Sequence, residues 1–380
     1  MRVFSAIAAL AAITACAPKI GVRPNGYNPP TDVSSLTLVG QFSIPPLTRY
    51  PSSLGPYFGG ISGLTAGLQR DEVFGVSDAH LGGRIYRFAI RDLPNAMRVA
   101  TLQLIPLQRA PDDLEPDPEA IVRKADGSFI VASEGTGREP RRPPTIAEFG
   151  PWGEFIRSIP IPNRYIPDAT GPLTHGARGN AGFESLTLTR QGDHMFAATE
   201  TALVQDGDPA NFDSGTRARI VKYERHDSGF APGREFVYDV DPLEAPPFKP
   251  AFFINGLVEL LALDVRTLLA LERGYIEDSG RPGTGVNRIR IYRVSLDDAT
   301  DVSAIDSIKG RADIVGVKKT LLLDLAKTPG LSQDLYPALD NFEGMTFGPT
   351  LPDGRRTLVI VSDDNFNTSQ RTWFLAFAIQ

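Results

Sequence analysis

Short apolar stretches follow one another along almost the whole chain. Each alternates with polar residues or runs nearly continuously, and each is bounded by Gly, Pro, Asn or Asp, the pattern of strands separated by tight turns. The stretches recur in sets. Segments 59–90, 117–149, 180–225, 254–296 and 341–379 share one order. A short apolar strand is introduced by a small or acidic residue (Ser62, Glu119, Glu184, Glu259, Glu343). A turn follows, three times with Asp-Gly or Gly-Asp at its centre, and then a second apolar strand that ends on an acid: Asp78, Glu134, Glu200, Glu272, or Asp363 with Asp364. A third strand alternates, as in RIYRFAI and RIRIYRV, and RVATLQLIPL, FIRSIPIP, REFVYDV and KTLLLDLA supply a fourth.

Recurring sets of four antiparallel strands predict an all-β chain folded as a β-propeller, because one four-stranded sheet buries both its faces only when similar sheets stack around it. Five blades are readable. Residues 297–340, with the partly helical-looking DATDVSAIDSIKG, leave room for a degenerate sixth. The fifth set ends on its third strand, so the N-terminal SSLTLVGQFSIP (34–45) is expected to complete the last blade and close the ring. A β-sandwich with long loops is the competing architecture, but it gives no reason for an acid at the same place in each set.

In a hairpin, the start of one strand and the end of the next lie at the same end. Glu184 and Glu200 are therefore expected side by side, and a ring of blades is expected to gather about ten carboxylates at one mouth. Crowded carboxylates raise one another's pKa unless cations interleave. Many hard oxygen ligands favour Ca²⁺. The expected metal ligands are Glu184, Glu259, Glu343, Asp363 and Asp364, with Glu200 and Glu272 as the groups that orient water or metal. Arg219 and Arg288, from the basic residues that follow the acids, are the expected grips on a substrate anion. The four histidines lack zinc-ligand spacing; His80 and His175, in glycine-rich loops, are candidate general acids. DDLEPDPEA (112–120) either extends a calcium site or is a solvated loop. In the competing reading, strand-end acids are purely structural and accept backbone N–H bonds that tie one blade to the next.

Composition narrows the function. Gly 36 and Pro 32 in 380 residues fit many turns and few long helices. A net charge of −6 argues against nucleic acid as a partner. No Gly-x-Ser-x-Gly elbow and no phosphate-binding glycine loop occurs. The start, MRVFSAIAALAAITAC, is a secretory leader too short to span a bilayer. Its end resembles the lipobox of bacterial lipoproteins, which implies lipidation of Cys16, the single cysteine, after removal of residues 1–15. Residues 16–35 then read as a tether and 36–380 as the propeller domain. The lipid is the expected membrane contact, on the bacterial envelope at the periplasmic or outer-membrane side.

Gly-Phe-Glu-Ser-Leu-Thr at 182–187, Asn-Phe-Glu-Gly-Met-Thr-Phe at 341–347 and Ser-Asp-Asp-Asn at 362–365 resemble the bacterial phytase-like family, labelled "esterase-like activity of phytase". The likeness covers most of residues 59–379. It implies a secreted or lipid-anchored propeller whose repeated acids carry phosphoesterase-type activity. The expectation is therefore an envelope-anchored, Ca²⁺-dependent hydrolase of small anionic phosphate esters. The alternatives are a non-catalytic periplasmic binding propeller and a calcium-dependent lactonase.

Overall fold

The computed structural model describes residues 32–52, 55–79, 82–108, 117–335 and 338–380. Cys16, His80 and residues 112–116 lie outside them. Among the described residues there are twenty strands and four single-turn 3₁₀ segments, and no helix is long and apolar enough to cross a membrane.

Strand β1 (Leu36–Ile44) stands apart in sequence from its sheet. Blade one is β2 (Ile61–Ala66), β3 (Glu72–Ser77), β4 (Arg84–Arg91) and β5 (Arg98–Pro106). Blade two is β6 (Pro118–Arg123), β7 (Phe129–Ser133), β8 (Thr145–Phe149) and β9 (Phe155–Ile159). Blade three is β10 (Phe183–Leu188), β11 (His194–Thr199), β12 (Thr216–His226) and β13 (Gly229–Val240). Blade four is β14 (Pro250–Ala262), β15 (Thr267–Asp278), β16 (Gly285–Ser295) and β17 (Lys318–Asp324). Blade five is β18 (Asn341–Gly348), β19 (Thr357–Asp363), β20 (Thr372–Ile379) and, at its outer edge, β1. Every pairing is antiparallel, and each innermost strand packs on those of the neighbouring blades. The N-terminal strand thus closes the ring, pairing from Leu36↔Ile379 to Ile44↔Thr372. All four expected fourth strands are present, as β5, β9, β13 and β17.

There is no sixth blade among the described residues. Apart from β17 and two single-turn 3₁₀ segments, the described residues of 297–340 form neither a longer helix nor a further strand. Val302, Ile308 and Ile314 pack on Val237 of β13, and the Val302 and Val317 N–H groups donate to the carbonyls of Glu235 and Val237 at 2.9 and 2.8 Å. The segment caps the outer edge of blade three, which would otherwise present unpaired backbone groups to other chains.

Apolar side chains from facing blades fill the gaps between sheets. Phe342, Phe347 and Leu375 of blade five share one cluster with Leu269, Leu271 and Ile291 of blade four, and Phe183 and Met195 of blade three meet Ile130 and Ala132 of blade two.

All five innermost strands carry a β-bulge, near the start in blades one, two, three and five and past the middle of the longer β14. The bulge leaves Ser62, Glu119, Glu184, Val258 and Glu343 without a cross-strand partner. A bulge re-aims the side chain it carries, so the acids are turned out of the sheet face toward the strand-start end of the ring.

The next residue in each blade lies toward the axis: Gly63, Ala120, Ser185, Glu259 and Gly344. The space there is narrow. A Cβ on Gly63 would lie 2.6 Å from the Glu119 carbonyl oxygen. Four of the five positions are small, and the fifth, Glu259, is fully buried. The Leu260 N–H donates to its Oε1 at 3.0 Å and the Leu186 N–H at 3.4 Å, and the Leu64 and Met345 N–H groups also bond to this carboxyl. Inner strands from four blades therefore converge on one side chain. Burial pushes the Glu259 carboxyl well above its usual range, and the surrounding N–H groups oppose that rise. We expect Glu259→Ala to lower the unfolding free energy by about 2–4 kcal/mol, because buried N–H donors lose their acceptor. Denaturant midpoints measure the loss, and an unchanged midpoint would refute this role.

Candidate functional site

The hairpin geometry brings the expected acids together. Phe183 pairs with Thr199, and the Glu200 N–H donates to the Gly182 carbonyl at 3.1 Å, so Glu184 and Glu200 end side by side. The same frame sets Glu119 beside Glu134 and Glu343 beside Asp363. The mouth gathers Asp78, Asp117, Glu119, Glu134, Glu184, Glu200, Glu343, Asp363 and Asp364, which act on one another electrostatically. Oxygen atoms of Asp117, Glu119 and Glu134 all lie within 4.8 Å of one another.

Local structure fixes the individual groups. Asp364 Oδ1 accepts the Gly60 N–H at 2.9 Å and the Phe366 N–H at 3.2 Å. Gly59 and Gly60 have φ of 146° and 63°, and a Cβ on either would come within 2.2 Å of a carboxylate oxygen, of Asp364 and Asp78 respectively. Only glycine lets the backbone approach these acids. Asp363 Oδ1 accepts the Asn365 N–H at 2.8 Å.

Arg273 is the cation among these carboxylates. Its Nη2 lies 2.6 Å from Glu343 Oε1 and 3.6 Å from Glu200 Oε1. By register it occupies the place in blade four that Asp78, Glu134, Glu200 and Asp363 occupy in the others, since it pairs with Gly256 as Asp363 pairs with Asn341. Burial opposes its charge, but Glu343, Glu200 and Glu184 hold it protonated more firmly than usual.

One arginine does not balance the ring. Burial, reinforced by Glu343 and Asp117, pushes Asp78 up to about 7. Burial and Glu119 push Glu134 up to about 9, although a hydrogen bond with the Glu184 carboxyl works the other way. Burial takes Glu200 to about 7 against the pull of Arg273. Glu119, Glu184 and Asp363 are raised well above the carboxylate range, first by burial and then by Glu184, Glu134 and Glu343 respectively. Asp78 Oδ1 and Glu200 Oε1 are buried with no hydrogen-bond partner. The donor set is all hard oxygen, with buried oxygens left over, and it fits a divalent cation of the calcium type.

Five expected residues are not brought to this mouth. Glu259 sits one register step past the bulge and closes the axis, while the apolar Val258 takes the position of Glu184. Glu272 pairs with Leu257, one residue short of the strand-end place; it accepts the Tyr238 hydroxyl at 2.8 Å and lies 2.6 Å from Lys319 Nζ, in a network with Asp241 between blades three and four. Arg219 is wholly buried, bidentate to Asp206 at 2.6 and 2.9 Å and 3.1 Å from Glu235. Arg288 is paired with Glu244 at 2.5 Å. His175 lies at the Ile166 carbonyl and 3.5 Å from Asp306, also away from the mouth.

The site includes residues that were not among the expected ligands. Asp78, Glu119 and Glu134 are members of the repeat, and Asp117 belongs to the acidic run 112–120. Arg84, at the start of β4, lies with its guanidinium 5.7 Å over the Phe366 ring, beside the loop that carries Asp364.

Comparisons with known proteins agree with this picture at the level of family. The catalytic domain of a Coprinopsis cinerea GH62 α-L-arabinofuranosidase is 12% identical with a TM-score of 0.43, over 92% of this chain and 98% of that one. A gluconolactonase from Xanthomonas campestris is 9% identical with a TM-score of 0.33, over 91% and 98%. At these scores the likenesses say nothing of substrate. An uncharacterized secreted protein of Arthroderma benhamiae is 29% identical over 160 residues, 35% of this chain and 29% of that relative's length. The phytase-like family model, described as "esterase-like activity of phytase", matches residues 56–366, most of the ring and all of its carboxylate mouth, and the chain belongs to that family.

Proposed function

We propose that the chain is a divalent-cation-dependent hydrolase of small anionic esters, phosphate esters first among them, working outside the cytoplasm. The observation that supports this most is the mouth itself: nine carboxylates facing one arginine, with buried oxygens left over. Asp117, Glu119 and Glu134, whose oxygens converge, would hold the ion, with Asp78, Asp363 and Asp364 adding negative charge at the same mouth. When bound, such an ion offsets charge on a phosphoryl oxygen and acidifies a coordinated water. The chain's own residues supply the rest. Glu200 lies within reach of Arg273 and is placed to accept a proton, since burial sets it near neutrality. Arg84, at the rim, takes the role of anion contact in place of Arg219 and Arg288. The leader-like start and the secreted relative support a location beyond the cytoplasmic membrane; lipid attachment through Cys16 is part of the same proposal.

Phosphomonoesters, phosphodiesters and lactones should be assayed with Ca²⁺ and with chelator. We expect phosphoester turnover that chelator abolishes and that Glu134→Gln lowers at least about a hundredfold. Equal inactivity with and without Ca²⁺ across the panel would sink the proposal, and turnover of lactones alone would transfer it to another ester class.

A further inference from the structure

The far face of the ring, at the strand ends opposite the carboxylate mouth, holds a second kind of site. A pocket of about 190 Å³ lies between blades three and four. Lys222 of β12, Arg234 and Phe236 of β13, Arg266 in the β14–β15 turn, and Asp297 and Asp298 after β16 line it. Lys222 is 5% exposed as a whole residue, its stem covered and its ammonium open to the pocket, and that ammonium has no hydrogen-bond or ion-pair partner among the described residues. The Arg234 guanidinium lies 5.5 Å over the Phe236 ring and is paired with no carboxylate there. The two acids in the wall are engaged: Asp297 with Arg266 at 3.6 Å, and Asp298 with Lys318 at 2.8 Å.

An ammonium at the pocket wall beside two guanidinium groups meets like charge, which an anion in the pocket would offset. Burial, then Arg234, pulls the Lys222 pKa below its usual value; Glu224 and Asp193 oppose the fall and Arg266 adds to it. Such a group is satisfied by an acceptor from outside the chain. The pocket has room for several water-sized groups, and its three cations arrive from different strands and a turn, which suits an anion with several oxygens. Bidentate guanidinium and charge-assisted ammonium bonds both favour phosphate over a spherical halide.

We propose that this pocket binds a small tetrahedral oxyanion, phosphate or the phosphate end of a larger molecule, through Lys222, Arg234 and Arg266. The site is separate from the carboxylate mouth and does not depend on the activity assigned there.

The test uses the full folded protein in chelator, so that no metal at the mouth recruits anions. Inorganic phosphate is titrated at constant ionic strength set with chloride, and thermal midpoint and calorimetric heat are followed. We expect the midpoint to rise by about 2 °C at a tenfold excess over Kd, with no response to chloride. Lys222→Met should weaken phosphate binding at least about tenfold, while its own midpoint without phosphate stays level or rises, because the lost cation had no partner. Arg266→Gln, at an exposed side chain, should weaken binding without affecting folding. Glu134→Gln in the mouth should keep the full shift. Tighter binding of a hexose monophosphate than of inorganic phosphate means the pocket takes the end of a larger molecule; equal binding means it takes the free anion. An equal phosphate shift in Lys222→Met and the unaltered protein, or no heat and no shift up to tens of millimolar, overturns the proposal.

Discussion

In chelator the protein is expected to be more stable at pH 5 than at pH 8, by several kcal/mol. The sign follows from the mouth. Asp78, Glu134 and Glu200 rise to about 7, 9 and 7 in the folded chain, whereas they titrate near 4 when unfolded. Between those values the folded state binds more protons than the unfolded one, so the stabilisation is fully present below about pH 4 and is lost as pH rises through 7 to 9. Ca²⁺ should reverse the trend, since it binds the ionised carboxylates and its contribution grows with pH. Chemical denaturation at the two pH values, with and without Ca²⁺, measures both effects. A metal-free protein already weaker at pH 5 than at pH 8, and indifferent to Ca²⁺ at pH 8, would show that the carboxylates do not act as one electrostatic unit.

Arg219→Met should cost about 3–5 kcal/mol, the usual penalty for stranding buried charges. Asp206 and Glu235 would lose their common partner, and the carbonyls of Ile305 and Asp306 would lose donors at 3.0 and 3.1 Å. Those carbonyls belong to the segment that caps β13, so amide exchange should quicken across residues 302–308 before it does in the inner strands. The KM for any ester substrate should stay where it was. A raised KM with unchanged stability would return Arg219 to the substrate.

These residues show where the sequence could be read and where it could not. Strand alternation and turn chemistry are local, and they sufficed for five blades, their outer strands and the closing role of β1. The pairing of Glu184 with Glu200 followed from hairpin reversal alone. Glu259 and Glu272 went astray because blade four was aligned on its glutamates. The frame that counts is Gly256-Leu257, matched to Gly182-Phe183, and it moves both acids one place and puts Arg273 in the acid slot. A bulge has no residue signature of its own, so its register was not legible. Arg219 and Lys222 look alike in an alternating strand. That Arg219 is clasped by Asp206 and Glu235 and by carbonyls 86 and 87 residues away, while Lys222 faces an open pocket, depends on loops and neighbouring strands that the alternation of β12 does not show.

β1 lies against β20 with Ser34 and Gln380 joined, the Ser34 N–H donating to the Gln380 carbonyl at 2.8 Å and the Gln380 N–H to the Ser35 carbonyl at 3.1 Å. Tension applied through the residues before Leu36 therefore falls on the clasp of the ring, and pulled against Gln380 it acts like a zip, parting one rung at a time. A short covalent splice between Ser34 and Gln380 would join the described blades into an endless band. Its blades could then be entered from a different turn without altering what stacks on what.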